Sequence, residues 1–105
     1  CAGFIGSTLV DKLLDLNYQI IGIDNLSTGQ KVFLENAFNN KNFKFFKCDL
    51  LNLNRLKKIF KRSNIVFHFA ANADVRYGYE HPYKDLEQNT IATYNVLESM
   101  RINGI

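Results

Sequence analysis

Residues 1–7 read CAGFIGS and place two glycines, Gly3 and Gly6, three positions apart at the start of an amphipathic segment. Glycine permits a tight turn, a close approach of a ligand to the backbone and close packing of a helix on a sheet. The first N–H groups of a helix have no partner within the helix and lie at its positive end. The stretch therefore predicts an anion site at a helix start, although a plain tight turn into a helix would use the same residues.

Asp24 ends the next apolar run, residues 19–24 (QIIGID), and lies 18 residues after Gly6. In dinucleotide-binding folds, an acidic residue about 20 positions after the glycine turn binds the adenosine ribose hydroxyls. A carboxylate there repels a 2′-phosphate, and residues 25–29 (NLSTG) hold no arginine to accommodate one. Asp24 therefore favours NAD over NADP, and the alternative is a loop carboxylate that caps a turn.

The hydrophobic pattern predicts helices and strands in alternation. The predicted helices are 4–16, 52–62 and 83–102, with a short helix or turn at 31–38, and the predicted strands are 19–24, 43–48 and 64–69. Pro82 suits the start of the last helix, and Gly104 suits its end. The alternation predicts an α/β fold with a Rossmann-type doubly wound parallel sheet. Because the glycine turn should follow a strand, we expect residues 1–105 to be a partial domain whose first strand and C-terminal half are missing.

A carboxylate also follows the second predicted strand, at Asp49-Leu50. At a strand end beside a dinucleotide, this carboxylate could accept a hydrogen bond from the adenine amino group. Asp is also a good N-cap, so the alternative is that Asp49 caps the following helix.

Small residues follow the third predicted strand, in the segment FHFAANADVR at residues 67–76. Ligands of open α/β sheets bind outside the carboxyl ends of strands, and small residues there allow close passage. We expect His68, inside the strand, to be a packed core residue rather than an acid or base. Asp74 and Arg76 lie in the predicted loop, where they could pair with each other or contact substrate.

The composition excludes several classes of protein. The chain has 105 residues, 47% hydrophobic and 22% charged, with a net charge of +3. The basic cluster in residues 57–62 is interpreted as a solvated helix face rather than a nucleic-acid patch. No apolar run reaches the ~20 residues of a membrane span, and the first residues do not form a signal peptide. Cys1 and Cys48 have no metal-ligand spacing, so we expect no metal site and a reduced, cytoplasmic protein.

Five segments in order, CAGFIGS, IGIDNLSTG, CDL, VFHFAANADV and QNTIATYNVLE, resemble the extended short-chain dehydrogenase/reductase family, and within it NAD-dependent epimerase/dehydratases of the UDP-glucose 4-epimerase kind. The resemblance covers essentially all 105 residues. Gly3 and Gly6 match the second and third glycines of the family pattern G-x-x-G-x-x-G. Ala92 departs from the family's usual Gly, a small change, and Ala73 stands where some epimerases carry Lys.

The resemblance implies a set of NAD-binding residues along the whole chain. The pyrophosphate, the ribose, the adenine and the nicotinamide side would each be held by a separate segment, and a last pair would lie behind the cofactor. In that order the residues are Gly3, Phe4, Ile5 and Gly6; Asp24, Asn25, Leu26, Ser27, Thr28 and Gly29; Asp49 and Leu50; Phe69, Ala70, Ala71 and Ala73; and Gln88 and Asn89.

The family's catalytic groups, a Ser/Thr and a Tyr-x-x-x-Lys, are expected beyond the last helix, so no residue here is nominated as catalytic. None of the five tyrosines has Lys at the fourth following position. The resemblance implies transient oxidation of a nucleotide sugar, most readily a UDP-sugar, by tightly bound NAD, in a parent enzyme that is often a homodimer.

Three alternatives to an epimerase remain open at this stage. A nucleotide-sugar 4,6-dehydratase or decarboxylase is related, although dehydratases usually show a Glu-Ser-His-type run where this chain has Asn72-Ala73-Asp74. An NAD-sensing regulator would bind the cofactor without turnover. An S-adenosylmethionine methyltransferase also uses a Gly-rich turn and an acidic strand end. We also expect the isolated 105-residue chain to be unstable, because the missing first strand would be central to the sheet.

Overall fold

The computed structural model describes residues 1–105, which divide into two compact units, 1–49 and 50–105. The first unit contains α1 (Phe4–Asp15), β1 (Ile20–Asp24), a 3₁₀ turn (Lys31–Leu34), α2 (Glu35–Phe38) and β2 (Phe43–Lys47). The second contains α3 (Leu53–Ile59), α4 (Val75–Glu80), α5 (Pro82–Asp85), a π-helical segment (Leu86–Ile91) and α6 (Ala92–Asn103). No helix combines the length and the apolar character that crossing a membrane requires.

The sheet of the first unit is parallel, as predicted. β1 pairs with β2 in register, from Ile20 opposite Phe43 to Asp24 opposite Lys47. A parallel pair requires a crossover connection, and the 3₁₀ turn and α2 supply it. Both strands therefore end at the same edge, the edge that carries Asp24.

The core of the first unit lies where α1 and α2 meet the strands. Ala2, Val10, Leu14, Leu34 and Ala37 are buried there, with Ile20, Phe43 and Phe45 packed against them. The predicted apolar stripe of α1 is only partly buried, because Ile5 and Leu16 are mostly exposed.

In the second unit α3 packs against α6. Leu56, Ile59 and Phe60 are buried, as the helical spacing of 52–62 predicts. α3 ends at Ile59, before the predicted boundary, because the chain turns at once and Arg62 adopts a left-handed φ of 80°. Two amides tie α6 back to this region: Asn95 Nδ2 donates to Leu50 O at 2.8 Å, and Asn103 Nδ2 donates to Lys57 O at 3.1 Å.

The predicted helix at 83–102 is confirmed as a continuous helical run from Pro82 to Asn103. Pro82 occupies the first turn, where its missing N–H costs nothing. Gly104 ends the run in the left-handed region at φ 70°. The sequence did not predict that the middle of this run, Leu86–Ile91, is wound as a π-helix.

The predicted strand at 64–69 is wrong for this structure. Residues 65–74 form no regular element, and Ile65, Phe67 and Phe69 are 72%, 56% and 54% exposed. An apolar run becomes a strand only when a neighbouring backbone accepts its ladder hydrogen bonds, and the sheet consists of β1 and β2 alone.

The loop predicted to follow this run is also partly wrong, because residues 75–80 form α4. Asp74 caps this helix: its Oδ1 accepts from the N–H groups of Arg76 and Tyr77 at 3.0 and 3.1 Å. Pairing of Asp74 with the Arg76 side chain, one predicted alternative, is not observed; contact with substrate, the other, stays a prediction. Gly78, a poor helix former in the middle of α4, obscured the helix in the sequence.

Candidate functional site: a helix start beside an acidic strand end

The start of α1 presents backbone N–H groups without a side-chain cap. Gly3 is the N-cap residue in extended geometry, and no side chain bonds to the first turn. The first intrahelical bond runs from Ser7 N to Gly3 O at 2.9 Å. The N–H groups before Ser7 therefore belong to the unpartnered first turn of a helix, at its positive end. This is the arrangement that accepts an anion.

Gly3 and Gly6 are needed for different reasons. A Cβ on Gly6 would lie 2.9 Å from both the Cα and the O of Cys1, so glycine lets α1 pack tightly on the segment that leads into it. A Cβ on Gly3 would meet nothing within 4 Å, and Gly3 is exposed. Nothing in the chain itself therefore requires glycine at position 3, whereas a ligand resting on the helix start would need that space.

Asp24 lies at the end of β1 and directly beside the entrance to α1. Its Oδ2 accepts from Ala2 N at 2.8 Å and from the amino group of Cys1 at 2.8 Å. Its Oδ1 accepts from Leu26 N at 2.8 Å. The carboxylate and the glycine-rich helix start are thus brought together, as the sequence spacing predicted. The bond from Leu26 N also makes Asp24 the cap of the turn that follows β1, which was the predicted alternative. Asp24 therefore contacts the start of α1 and caps this turn at the same time.

The carboxylate of Asp24 is held ionised and largely covered. Burial raises its pKa, but hydrogen bonds from the Cys1 amino group, Ala2 and Leu26 outweigh burial and lower the pKa below the ordinary value. The side chain is 15% exposed. Gly29 closes over it, since a Cβ there would lie 2.8 Å from Oδ1. A carboxylate has about four acceptor positions, and the three donors fill two positions on Oδ2 and one on Oδ1, which leaves one acceptor position on Oδ1 unfilled.

The loop after β1 organises a second carboxylate at the same edge. Asn25 Nδ2 donates to Asp49 Oδ2 at 3.0 Å, while Asn25 Oδ1 accepts from the N–H and the hydroxyl of Ser27 at 3.0 and 2.8 Å. Leu26 takes a left-handed φ of 61°, and Ser27 and Thr28 are exposed. The alternative prediction, that Asp49 caps the following helix, is wrong. The N-cap of α3 is Asn52, which accepts from Arg55 N at 3.0 Å.

In the second unit, the segment predicted to line a ligand is an exposed loop. Ala70, Ala71 and Ala73 are exposed, and Phe69 stacks on Phe67 with ring centroids 6.3 Å apart. Leu50 is half-buried and contributes its carbonyl to Asn95. Gln88 and Asn89 both lie in the π-helical segment, a rare geometry that is frequent at functional sites.

A polar network holds this loop to the π-helical segment, and the sequence did not predict it. Asn89 Oδ1 accepts from Asn72 N at 2.7 Å, and Asn89 Nδ2 donates to Asn72 O at 3.4 Å. Asp85 Oδ1 accepts from Asn72 Nδ2 at 2.7 Å and from Asn89 Nδ2 at 3.4 Å. The only sequence signal for Asp85 was Gly78, whose missing side chain leaves space for the carboxylate.

His68 is half-buried in an irregular segment, not packed in a strand core as predicted. Its Nε2 lies 3.0 Å from Thr93 Oγ1, and Thr93 Oγ1 donates to Asn89 O at 2.7 Å. Because the hydroxyl hydrogen of Thr93 points to Asn89, Nε2 of His68 must carry the proton in this contact. Burial lowers the pKa of His68, which favours the neutral ring.

No group of three or more His, Cys, Asp or Glu side chains is placed to hold a metal ion. What the chain offers is a helix start open to an anion, an ionised carboxylate beside it, and an exposed loop of small residues braced by amides.

Comparisons with known proteins show which proteins the chain resembles. The chain is 38% identical to UDP-glucose 4-epimerase of Mycolicibacterium smegmatis over 99% of its length, and it spans 34% of that relative. The solved structure of UDP-glucose 4-epimerase from Thermotoga maritima with UDP-glucose matches 99% of the chain and 33% of its own length, with a TM-score of 0.89 and 36% identity. The Thermus thermophilus UDP-glucose 4-epimerase complex with NAD matches 99% of the chain and 32% of its own, with a TM-score of 0.89 and 35% identity.

The chain thus spans about a third of the length of these relatives. The likeness confirms the Rossmann-type α/β fold class. The model of the NAD dependent epimerase/dehydratase family matches residues 1–105, and the chain belongs to that family.

Proposed function

We propose that residues 1–105 are the cofactor-binding portion of an NAD-dependent nucleotide-sugar epimerase. The observation that carries this proposal is the placement of the Asp24 carboxylate beside the uncapped, glycine-lined start of α1. Family membership and the likeness to two UDP-glucose 4-epimerases support it. The activity and the UDP-sugar substrate are proposed for the whole protein, of which the relatives indicate this chain to be a part.

The start of α1 fits a pyrophosphate. The open space at Gly3 is the position that a Cβ would fill, and the N–H groups of Phe4, Ile5 and Gly6 belong to the first turn. Two phosphates bring negative charge to the positive end of the helix, where each such interaction contributes about 0.3–1 kcal/mol at an exposed site.

The edge of the sheet at β1 fits the adenosine end of the cofactor. Oδ1 of Asp24 has one acceptor position left for a ribose hydroxyl, and the loop Asn25–Gly29 wraps beside it. The ionised carboxylate would repel a 2′-phosphate, which favours NAD over NADP. Asp49, held by Asn25, is proposed to accept from the adenine amino group, next to Leu50.

The loop of the second unit is proposed to form the nicotinamide side. Phe69, Ala70, Ala71 and Ala73 offer small or flat exposed side chains, and Asn89 bonds to the loop at Asn72. Gln88 and Asn89, both in the π-helical segment, are proposed to lie behind the cofactor. Bound NAD would supply the redox chemistry, by accepting a hydride from a sugar carbon and giving it back. The residues of this chain bind and orient the cofactor, and the family's Ser/Thr and Tyr-x-x-x-Lys groups are proposed to lie in the remainder of the protein.

The test is titration calorimetry of the full-length protein with NAD and NADP. We expect the wild type to prefer NAD by at least about tenfold, and Asp24→Asn to lose at least about tenfold in NAD affinity, because a hydrogen bond to a charged group contributes about 1.5–3 kcal/mol. Asp15→Asn, at the exposed far end of α1, is the matched control and should bind as the wild type does.

Two results would refute the proposal. One is wild-type protein that binds neither dinucleotide. The other is a folded Asp24→Asn variant with unchanged NAD affinity. If Asp24→Asn does not fold, Gly3→Ala carries the same test, since its Cβ meets no atom of the chain. Epimerisation itself is measured by interconversion of UDP-glucose and UDP-galactose with NAD bound.

A further inference from the structure

Asp85 contacts three parts of the second unit: the loop at Asn72, the π-helical segment and α4. The proposed cofactor-binding residues do not include Asp85. Its Oδ1 accepts from the side chain of Asn72 in the loop at 2.7 Å and from Asn89 in the π-helical segment at 3.4 Å. On the other side, its carboxylate packs against α4: a Cβ on Gly78 would overlap Oδ2 and lie 2.9 Å from Oδ1. Gly78 is itself buried.

The Gly78–Asp85 contact is informative because each residue is a poor local choice. Glycine in a helix interior costs about 1 kcal/mol relative to alanine. A partly buried carboxylate requires donors that compensate for lost hydration. Each choice becomes reasonable once the carboxylate of Asp85 must reach the Asn72 side chain across the backbone of α4. Local choices that disagree with propensity occur mainly at functional or strained positions.

The bonds to Asn72 fix its backbone as well as its side chain. Asn89 Oδ1 accepts from Asn72 N, and Asn89 Nδ2 donates to Asn72 O, so both peptide groups of one loop residue are bound by one amide. Asp85 then holds the NH₂ groups of both amides, because a carboxylate only accepts hydrogen bonds. Its bond from Asn72 Nδ2 at 2.7 Å is the shorter of the two bonds of that group, and the other runs to Asp74 O at 3.4 Å. Without Asp85, the Asn72 side chain keeps only the longer bond.

We propose that Asp85 is a positioning residue that holds the loop Ala70–Ala73 in the shape needed on the nicotinamide side of the cofactor. The inference rests on the proposed function, and it assigns to Asp85 no contact with substrate or cofactor. Asp85 acts on the loop by holding the side chain of Asn72. The residues on either side of Asn72, Ala71 and Ala73, remain exposed.

The first test needs no cofactor. Hydrogen exchange of the full-length protein is followed for the peptide that spans residues 69–77, in the wild type, Asp85→Ala and Asp85→Asn. The Asn72 amide N–H donates to Asn89 Oδ1, and in Asp85→Ala the side chains of both asparagines lose their bond to a charged acceptor, which is among the stronger hydrogen bonds. We therefore expect Asp85→Ala to speed exchange at the Asn72 amide by at least about tenfold. Asp85→Asn should restore most of the protection, because its Oδ1 can accept from Asn72 in the same position.

The second test separates positioning from a general loss of stability. In steady-state epimerisation below the unfolding temperature, we expect Asp85→Ala to lower kcat at least about tenfold while KM for the nucleotide sugar changes less than about twofold, since misplacing a bound reactant affects the chemical step. Bound NADH should also show a shifted fluorescence emission. Glu87→Ala is the matched control: it removes a carboxylate two residues away that pairs only with Lys84, and it should behave as the wild type does.

If Asp85→Ala does not fold, the same measurements on Asn72→Ala decide the matter, with Asp85→Asn as the variant expected to behave as the wild type does. Unchanged exchange at residues 69–77 in Asp85→Ala overturns the inference, whatever the cofactor. Lower stability with unchanged kcat and unchanged NADH emission also overturns it. Wild-type protein that binds no NAD refutes the proposed function instead. In that case the exchange result still shows whether Asp85 holds the loop through Asn72 and Asn89.

Discussion

The variants Gly3→Ala and Gly6→Ala test two different reasons for glycine at the start of α1. Gly3 is proposed to leave space for a ligand, and Gly6 allows the helix to pack closely on the segment before it. The two substitutions add the same methyl group three residues apart. At Gly3 the new Cβ meets no atom within 4 Å, whereas at Gly6 it lies 2.9 Å from two backbone atoms of Cys1. We therefore expect opposite phenotypes: Gly3→Ala folds normally and binds NAD poorly, and Gly6→Ala is destabilised.

The magnitudes follow from the local geometry. At Gly3, alanine is a poorer N-cap than glycine by up to about 1 kcal/mol, and it restricts the unfolded chain by about 0.4–1 kcal/mol in the opposite direction, so the free energy of unfolding should stay within about 0.5 kcal/mol. At Gly6, alanine gains about 1 kcal/mol of helix propensity. Overpacking costs about 1–3 kcal/mol, and contact with backbone atoms that cannot rotate away places Gly6→Ala in the upper half of that range, about 2–3 kcal/mol. A net loss of about 1–2 kcal/mol is therefore expected.

The assay is urea unfolding of the full-length protein without cofactor, together with calorimetric titration with NAD. Gly3→Ala should lose at least about tenfold in NAD affinity, equivalent to about 1.4 kcal/mol, because its methyl group occupies the approach of a phosphate. If Gly3→Ala binds NAD with wild-type affinity, the cofactor does not occupy the open space beside Gly3. Gly6→Ala that unfolds at the wild-type midpoint would show that the packing distance has been misjudged.

Three further outcomes are expected. Ser99→Ala should raise the free energy of unfolding by about 1 kcal/mol in urea, because Ser99 is fully buried and its Oγ has no partner; a loss of stability would contradict this. Gly104→Ala should lower the free energy of unfolding by about 1 kcal/mol in the same measurement, because Gly104 adopts φ 70°, which costs a residue with a Cβ about that much. Asn103→Ala, in the preceding residue, acts differently, because it removes the side-chain bonds to Lys57 O and Ser99 O. His68 should make stability depend on pH: its folded pKa lies below 6.5, so the unfolded chain binds more protons as the pH falls below 6.5, and stability should decline there. The decline should be absent in His68→Gln, and an identical pH profile in both proteins would contradict the assignment.

The sequence predicted best those features that depend on local spacing. Gly3, Gly6 and Asp24 are separated by one helix and one strand, so their spacing alone was enough to predict that the carboxylate lies at the helix start. Pro82 and Gly104 marked the ends of a helical run because each residue acts on its own backbone. β1 and β2 were predicted from short β-branched and aromatic runs, and they pair as expected.

The features that were missed depend on partners distant in sequence. The run at 64–69 has the composition of a buried strand, but composition cannot supply the neighbouring backbone on which a strand depends. α4 was missed because Gly78 lowers its helix propensity, and the reason for that glycine is a carboxylate seven residues later. Asp85 itself had no motif, since its role comes from two amides, Asn72 and Asn89, that are brought together only by the fold. The binding roles of the individual site residues stay predictions.

The unpaired run at 65–69 has a consequence for handling this chain in solution. It combines β-branched and aromatic residues with no charge between Ile65 and Phe69, and several of its apolar side chains face water. Such a stretch is a template for cross-β self-association of identical chains. Samples of the 105-residue chain alone should therefore scatter light increasingly with concentration and time, and a lysine in place of Phe67 should keep them clear.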